Sequence, residues 1–284
     1  MVAAYAVEPL PEGALVPALT GHNVRDRATV GAAVGRVLDQ VGRPRRVAIV
    51  VPDPVARVSV LRFEQVPARA QDLEQLIRWQ IRKAAPFAVD EGQVSFVEGI
   101  HSAEGQEFVV SLARRDVIQE YEELCAAAGA HAGIVDIATF NVINTVLAGN
   151  RPPADWLLVN VACDYTSIAI MRGSRLIVFR SRGADADGTL ADLVHQTAMY
   201  YEDRLKGGGF DRVLLAGAST AGARQAAGAD HLRRHLEERP GRKVETVDLR
   251  GAVGLTDRAS APPTTVDSLA PLVGVLLRGR EVTA

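Results

Sequence analysis

The stretch from Asp155 to Gly183, DWLLVNVACDYTSIAIMRGSRLIVFRSRG, constrains the fold of this chain more than any other. It reads as a strand, a tight turn and two further strands, followed by a long helix, DGTLADLVHQTAMYYEDRLKG, at 187–207. The clearest linker in the chain, RPPADW at 151–156 with its two prolines, leads into it. Beyond the helix come a strand, DRVLLAG at 211–217, a helix over about 219–238 and a strand, KVETVDL at 243–249. A polar Pro/Thr-rich loop at 255–265 then precedes a last helix, VDSLAPLVGVLLRG, at 266–279.

Upstream of the linker the pattern is again mixed. VAAYAVEPL at 2–10 reads as a strand stopped by Pro11. In DRATVGAAVGRVLDQVG at 26–42, Val30, Ala33, Val34, Val37, Leu38 and Val41 have helical spacing, with Gly42 as a stop. RVAIVVP at 46–52 is a continuous apolar run and predicts a buried strand. The texture then changes. ARVSVLRFEQV at 56–66 alternates like a half-exposed strand. AQDLEQLIRWQIRKAAPF at 70–87 puts Leu73, Leu76, Ile77, Ile81 and Ala84 on one helix face, with Asp72 as N-cap and Pro86 as stop. GQVSFVEGI at 92–100 and GQEFVVSLARR at 105–115 read as strands around an HSAEG turn, and DVIQEYEELCAAAG at 116–129 as a helix. This β-α-β-β-α unit, at about 55–133, has the look of an insertion with its own sheet. GIVDIATFNVINTVLAG at 133–149 returns as a short strand running into a helix. Two comparable halves, 1–150 and 151–284, therefore predict an α/β architecture with a cleft between them.

The chemistry-bearing residues are sparse. The sequence contains no GxxxxGK[ST], GxSxG or HExxH pattern, and no GxGxxG between a strand and a helix. His231 and His235 lie one helical turn apart, but Arg233 and Arg234 separate them and no acidic third ligand is near, so they read as a surface helix and no metal is expected. His195, in ADLVHQTAMYY, reads as a helix-packing residue. Trp79 falls off the apolar arc of its helix, which leaves both secondary packing and a partner-binding anchor open. No catalytic residue is predicted. With a net charge of −2, and with basic runs at 42–46 and 231–243 interrupted by acidic residues or turns, nothing points to nucleic acid. Cys125 and Cys163 lack metal or redox spacing and read as free thiols of a reducing compartment. MVAAYAVEPLPEG does not read as a signal peptide, and no apolar run reaches bilayer-spanning length. The expectation is a cytoplasmic protein, held at a membrane only through a partner.

The order of these pieces resembles the PilM family, the cytoplasmic actin-like proteins of bacterial type IV pilus assembly platforms. The likeness runs through YAVEPLPEGAL (5–15), VAIVVPDPVARVSVLRFEQVP (47–67), DLEQLIRWQIRKAAPF (72–87) and FVVSLARRDVIQEYEELCAAAGAHAGIVDIATFNVIN (108–144). In the second half it continues through HQTAMYYEDRL (195–205), FDRVLLAGAST (210–220) and LAPLVGVLLRG (269–279). The resemblance implies an actin-like ATPase fold, which is ribonuclease H-like, with a small inserted subdomain placed as in the cell-division protein FtsA. It also implies an adaptor role, in which a groove beside that subdomain takes the short cytoplasmic tail of the inner-membrane pilus protein PilN. Trp79, Arg82 and Phe87 are the groove residues it points to here. Self-association is left open.

The resemblance implies a central cleft that can hold ATP in members of the family, and here the sequence departs from the pattern. Actin-like folds cradle phosphate on two Gly-containing hairpins, where backbone N–H groups approach closely. The first would precede YAVEPLP, where this sequence has nothing, so either the chain is shortened or the hairpin is lacking. The second is the 155–183 stretch, where D-x-G-x-x-[ST] is replaced by Asn160, Ala162 and Thr166 or Ser167, with Asp164 between. The adenosine-side turn AGAST at 216–220 keeps Gly217 but has Ala218 beside it. Glu202 and Lys206 resemble a ribose- and adenine-contacting pair, although one helical turn apart they also suit a surface ion pair. Every charge-assisted hydrogen bond to phosphate that such replacements remove costs roughly 1.5–3 kcal/mol, about ten- to a hundredfold in affinity. The expectation is a retained fold with weak or lost ATP and Mg²⁺ binding. Two alternatives stand beside it. One is an actin-like ATPase that turns over ATP; the other is the cytoplasmic domain of a type II secretion platform protein, a family that continues into a transmembrane helix where this sequence ends at GREVTA.

Overall fold

The computed structural model describes residues 2–149, 151–219, 221, 223–237, 243–249, 251–253 and 263–281. The chain divides into two compact units, Ala4–Ile137 and, with the first three residues, Ala138–Ala284.

In the first unit, Asp26 caps helix α1 (Arg27–Gln40), its carboxylate accepting the Thr29 N–H at 3.0 Å. The spacing read from the sequence places Val30, Ala33 and Leu38 inside. The segment at 2–10, expected as a strand, forms none beyond a bridge at Val2. Glu8 is instead tied to α1 by Arg36 at 2.8 Å and Gln40 at 3.0 Å, so side chains rather than a strand ladder fix this segment. Strand β1 (Arg46–Val51) pairs in parallel with β5 (His131–Ile137) in a two-stranded sheet. Each strand keeps an outer edge, which is why only Val51 of the run expected to be buried is fully so.

Strands β2 (Ala56–Phe63), β3 (Gly92–Ser102) and β4 (Gly105–Arg114) form an antiparallel sheet in the order β2-β4-β3. Helix α2 (Ala70–Ile81) lays Ile77 and Ile81 against Phe108, Val110 and Leu112 of its central strand. The helix ends at Ile81, short of the expected stop, and the Ala84 and Ala85 N–H groups both turn back to the Ile81 carbonyl. Asp72, expected as the N-cap, lies in the first turn instead, where its charge suits the positive end of the helix. Helix α3 (Arg115–Ala127) follows, burying Val117, Tyr121, Leu124 and Cys125, with Leu124 packed against Val30.

The second unit is built on a five-stranded sheet. Helix α4 (Ala138–Gly149) leads into the expected meander, β6 (Asp155–Val161), β7 (Tyr165–Arg172) and β8 (Arg175–Gly183). Helix α5 (Leu190–Leu205), β9 (Arg212–Ala216), α6 (Ala223–Glu237), β10 (Val244–Thr246) and α7 (Pro263–Glu281) complete it. The strand order is β10-β9-β6-β7-β8, with β6 antiparallel to β7 and parallel to β9. On one face Leu157, Val159, Ile168, Ile170, Val213 and Leu215 form a core with Val194 and Tyr201 of α5 and Leu232 of α6. On the other, α4 brings Phe140 against Phe179 of β8, with ring centroids 5.6 Å apart. Helix α7 crosses α4 closely, and the Thr145 hydroxyl donates to the Ala270 carbonyl at 2.7 Å.

Tyr201 ties three elements of this unit together. Its ring stacks on Phe210 at 4.7 Å, and its hydroxyl lies 2.8 Å from Asp155 Oδ2 and 3.0 Å from the Gly209 carbonyl. Arg172 holds the same carboxylate with two nitrogens. Burial, reinforced by the Asp155 carboxylate, pushes the Tyr201 phenol up to about 12. Desolvation alone would raise Asp155, but its bonds to Arg172 and Tyr201 together bring it below its usual range. Because the folded-state value of the tyrosine lies above the unfolded one near 10, its contribution is complete below pH ~10 and is lost as pH rises toward 12. Tyr201→Phe should cost about 1–2 kcal/mol at neutral pH and flatten this alkaline decline, as read from denaturant midpoints across pH.

Candidate functional site

The expected phosphate hairpin is the β6–β7 turn, and its register distributes the candidate residues over two faces. Asn160 pairs with Ser167 across the two strands, so both point toward α4. Asn160 is buried, and its Nδ2 donates to Thr139 Oγ1 of α4 at 2.9 Å. Ser167 is fully buried, and its hydroxyl lies 3.0 Å from that of Ser181 on β8. Thr166, one residue along and beside Val161, is buried on the α5 face. The Ala162 N–H closes the turn onto the Tyr165 carbonyl at 2.9 Å. Asp164 is exposed, yet the desolvation around its carboxyl raises its pKa, and its backbone carbonyl accepts the Ala184 N–H at 2.8 Å.

The second turn follows β9. Gly217 has φ +74°, and a Cβ there would stand 2.1 Å from the Val161 carbonyl oxygen. Backbone geometry therefore demands glycine at this position without reference to any ligand. Ala218 packs into the α5–α6 core. The Gly217 and Ser219 N–H groups donate to the two carboxylate oxygens of Asp267 on α7, at 2.8 and 3.2 Å, and the Ser219 hydroxyl donates at 2.6 Å. Glu202 and Lys206 are both exposed, and no ion pair joins them. Lys206 ends α5 in the left-handed region (φ 54°), which carries its side chain off the helical track above Glu202. Asn160, Ala162, Ser167, Gly217 and Ser219 thus spend their nearby polar groups on the protein itself, a poor fit to a phosphate ligand. Thr139 and Asp267, which take up four of those groups, carry no local motif. Asp267 sits 50 residues from the turn it serves, and only the fold pairs them.

His195, expected to pack, is exposed on α5, and the side chain of His235 lies outside the described residues. No group of three or more metal-ligating side chains occurs among the described residues. Cys125 is buried and Cys163 exposed, and both are free thiols. No described helix is long and apolar enough to cross a membrane.

The surface candidates lie on and after α2. Trp79 is 59% exposed, a high value for the largest apolar side chain, and Lys83 Nζ stands 5.7 Å from its ring centroid. Arg82 is exposed at the helix end. Phe87 differs from both: half-buried, it packs into the cluster of Phe108 and Leu112, with the Arg114 guanidinium 5.9 Å from its ring centroid. Trp79 and Arg82 therefore face solvent, whereas Phe87 belongs to the base on which they stand.

Comparison with solved structures places this architecture. The chain is similar to a chain of the PilM-PilN type IV pilus biogenesis complex, with 17% identity and a TM-score of 0.75, covering 96% of this chain and 90% of that one. That likeness shows the fold, and the actin-like α/β class expected from the sequence stands. More distant likenesses are to the cytoplasmic domain of EpsL, an inner-membrane component of the type II secretion system of Vibrio cholerae (11% identity, TM-score 0.44, 66% of this chain and 67% of that one). Another is to a protein with actin-like ATPase fold and unknown function from Bacteroides thetaiotaomicron VPI-5482 (10% identity, TM-score 0.45, 88% and 83%). The family described as type IV pilus assembly protein PilM matches residues 1–204, most of the chain. With its residue pattern, fold and family match in agreement, the chain belongs to the PilM family of type IV pilus assembly proteins.

Proposed function

We propose that this protein is an adaptor of type IV pilus assembly that docks the cytoplasmic tail of a PilN-like inner-membrane protein, and is held at the membrane through it. The partner comes from the likeness to the PilM-PilN complex. The observation that carries the docking surface is the exposure of Trp79 on α2, with the Lys83 ammonium beside its ring and Arg82 exposed at the same helix end. An aromatic ring next to flexible cations provides a large apolar contact of the kind that dominates interface energetics. Phe87 supports the surface from below. In this reading the protein has two actin-like halves, 1–150 and 151–284, with the segment at about 55–133 as the inserted docking subdomain. Nucleotide binding is weak or lost, because the groups of the β6–β7 and post-β9 turns are engaged within the protein.

Calorimetric titration with a synthetic PilN-like tail peptide, and separately with ATP and Mg²⁺, tests both parts. The expected result is micromolar peptide binding with no saturable ATP signal at millimolar concentration. Tight ATP binding without peptide binding would replace the adaptor with the ATPase reading.

A further inference from the structure

The turn after β9 aims two backbone N–H groups at one place, and a carboxylate of the protein already stands against them. The Gly217 and Ser219 N–H groups donate to the two oxygens of Asp267, and the Ser219 hydroxyl adds a third bond to Oδ2. The two donors flank Ala218 just after the positive φ of Gly217, and their N–H groups meet on one carboxylate, which is how oriented backbone N–H groups in a turn receive an anion. The bonds run from a helix that follows the turn by 50 residues, so the carboxylate does not arise from the turn's own local chemistry. An outside anion could make charge-assisted bonds of the same kind, but the Asp267 carboxylate is held at the turn by the fold and so competes at a high effective concentration.

We infer that Asp267 is an internal anion that closes the 217–219 turn: it satisfies the receptor which a phosphate or carboxylate ligand would otherwise use, and it fastens α7 to the end of β9. This one interaction has two consequences. With Asp267 in place the turn takes no external anion. Removing the carboxylate opens a receptor for small oxyanions and loosens the turn in the same step. The inference rests on the turn alone and not on tail docking, so the two fail separately.

The test is an NMR titration of Asp267→Ala and of the unaltered protein with inorganic phosphate, following the Gly217 and Ser219 amide resonances, with sodium chloride of matched ionic strength as control. In the variant these two amides should shift saturably, half-saturating in the low millimolar range. The variant's lowered Tm should recover with phosphate and with acetate, but not with chloride. The unaltered protein should show neither shift nor Tm gain. If Asp267→Ala does not fold, Asp267→Asn keeps the volume without the charge and should show the same phosphate-specific shifts, more weakly. A folded variant whose amides ignore phosphate overturns the inference, as does saturable phosphate binding at these amides in the unaltered protein.

Discussion

Replacing Gly274 with alanine should unfold the α4–α7 pair before any other part of its unit. A Cβ at this position would stand 1.7 Å from the Asn141 carbonyl oxygen and 2.5 Å from its carbonyl carbon. Backbone cannot yield as the end of a side chain does, so the helices must move apart. Separation would strip the Thr145 hydroxyl from the Ala270 carbonyl in a place where Thr145 is fully buried. Overpacking of this kind costs about 3 kcal/mol or more, a drop in Tm of roughly 10 °C for a unit of this size. Gly228 is the matched control. It too lies in a helix, α6, but nothing stands within 4 Å of its Cβ position. Gly228→Ala should hold or raise the midpoint by up to about 1 kcal/mol, since alanine is the better helix former. Equal effects at the two glycines in a denaturant melt would mean that the close crossing is not what Gly274 serves.

The second large effect is on binding. Trp79→Ala should weaken binding of the PilN-like tail by about 2 kcal/mol or more, roughly thirtyfold, while leaving the melting curve unchanged. The separation is possible because Trp79 is 59% exposed, so its loss removes binding area from a partner and little from the core. Phe87→Ala should not separate the two. That ring packs with Phe108 and Leu112, so its truncation should lower stability and binding together. Wild-type affinity in Trp79→Ala, measured by calorimetry, would remove α2 as the anchor and send the search to another surface of the first unit.

The sequence makes the meander and its helices legible because each carries a full periodic signal. Val30, Ala33 and Leu38 sit inside α1 as their spacing requires, and the β6–β7–β8 run pairs as read. Two local readings fail for one physical reason, the dependence of a strand on its neighbours. VAAYAVEPL has strand composition, but a strand needs a ladder, and in the structure Glu8 ties the segment to α1 instead. RVAIVV has the composition of a strand buried on both faces, but a sheet of only two strands cannot bury it. The candidate site is legible as residue types and not as engagements. Asn160 and Gly217 can be picked out by position in the pattern, whereas their partners Thr139, Val161 and Asp267 are chosen by strand register and by the way α4 and α7 lie. Trp79 is ambiguous from periodicity because a residue off the apolar arc can lean onto a neighbouring element or face water. Only the exposure of its ring separates the two.

The α4–α7 crossing also sets an order of events during synthesis. The Thr145–Ala270 bond spans 125 residues, so α4, with its strongly apolar composition, is made long before the helix that covers it. The sheet of this unit can form from pairings closer in sequence, but the second unit cannot close until α7 has left the ribosome. For that interval the chain carries an uncovered apolar helix face, the kind of surface that chaperones bind and that drives aggregation when translation stalls. A ribosome paused before codon 263 would therefore hold a nascent chain with its first unit complete in sequence and its second still open.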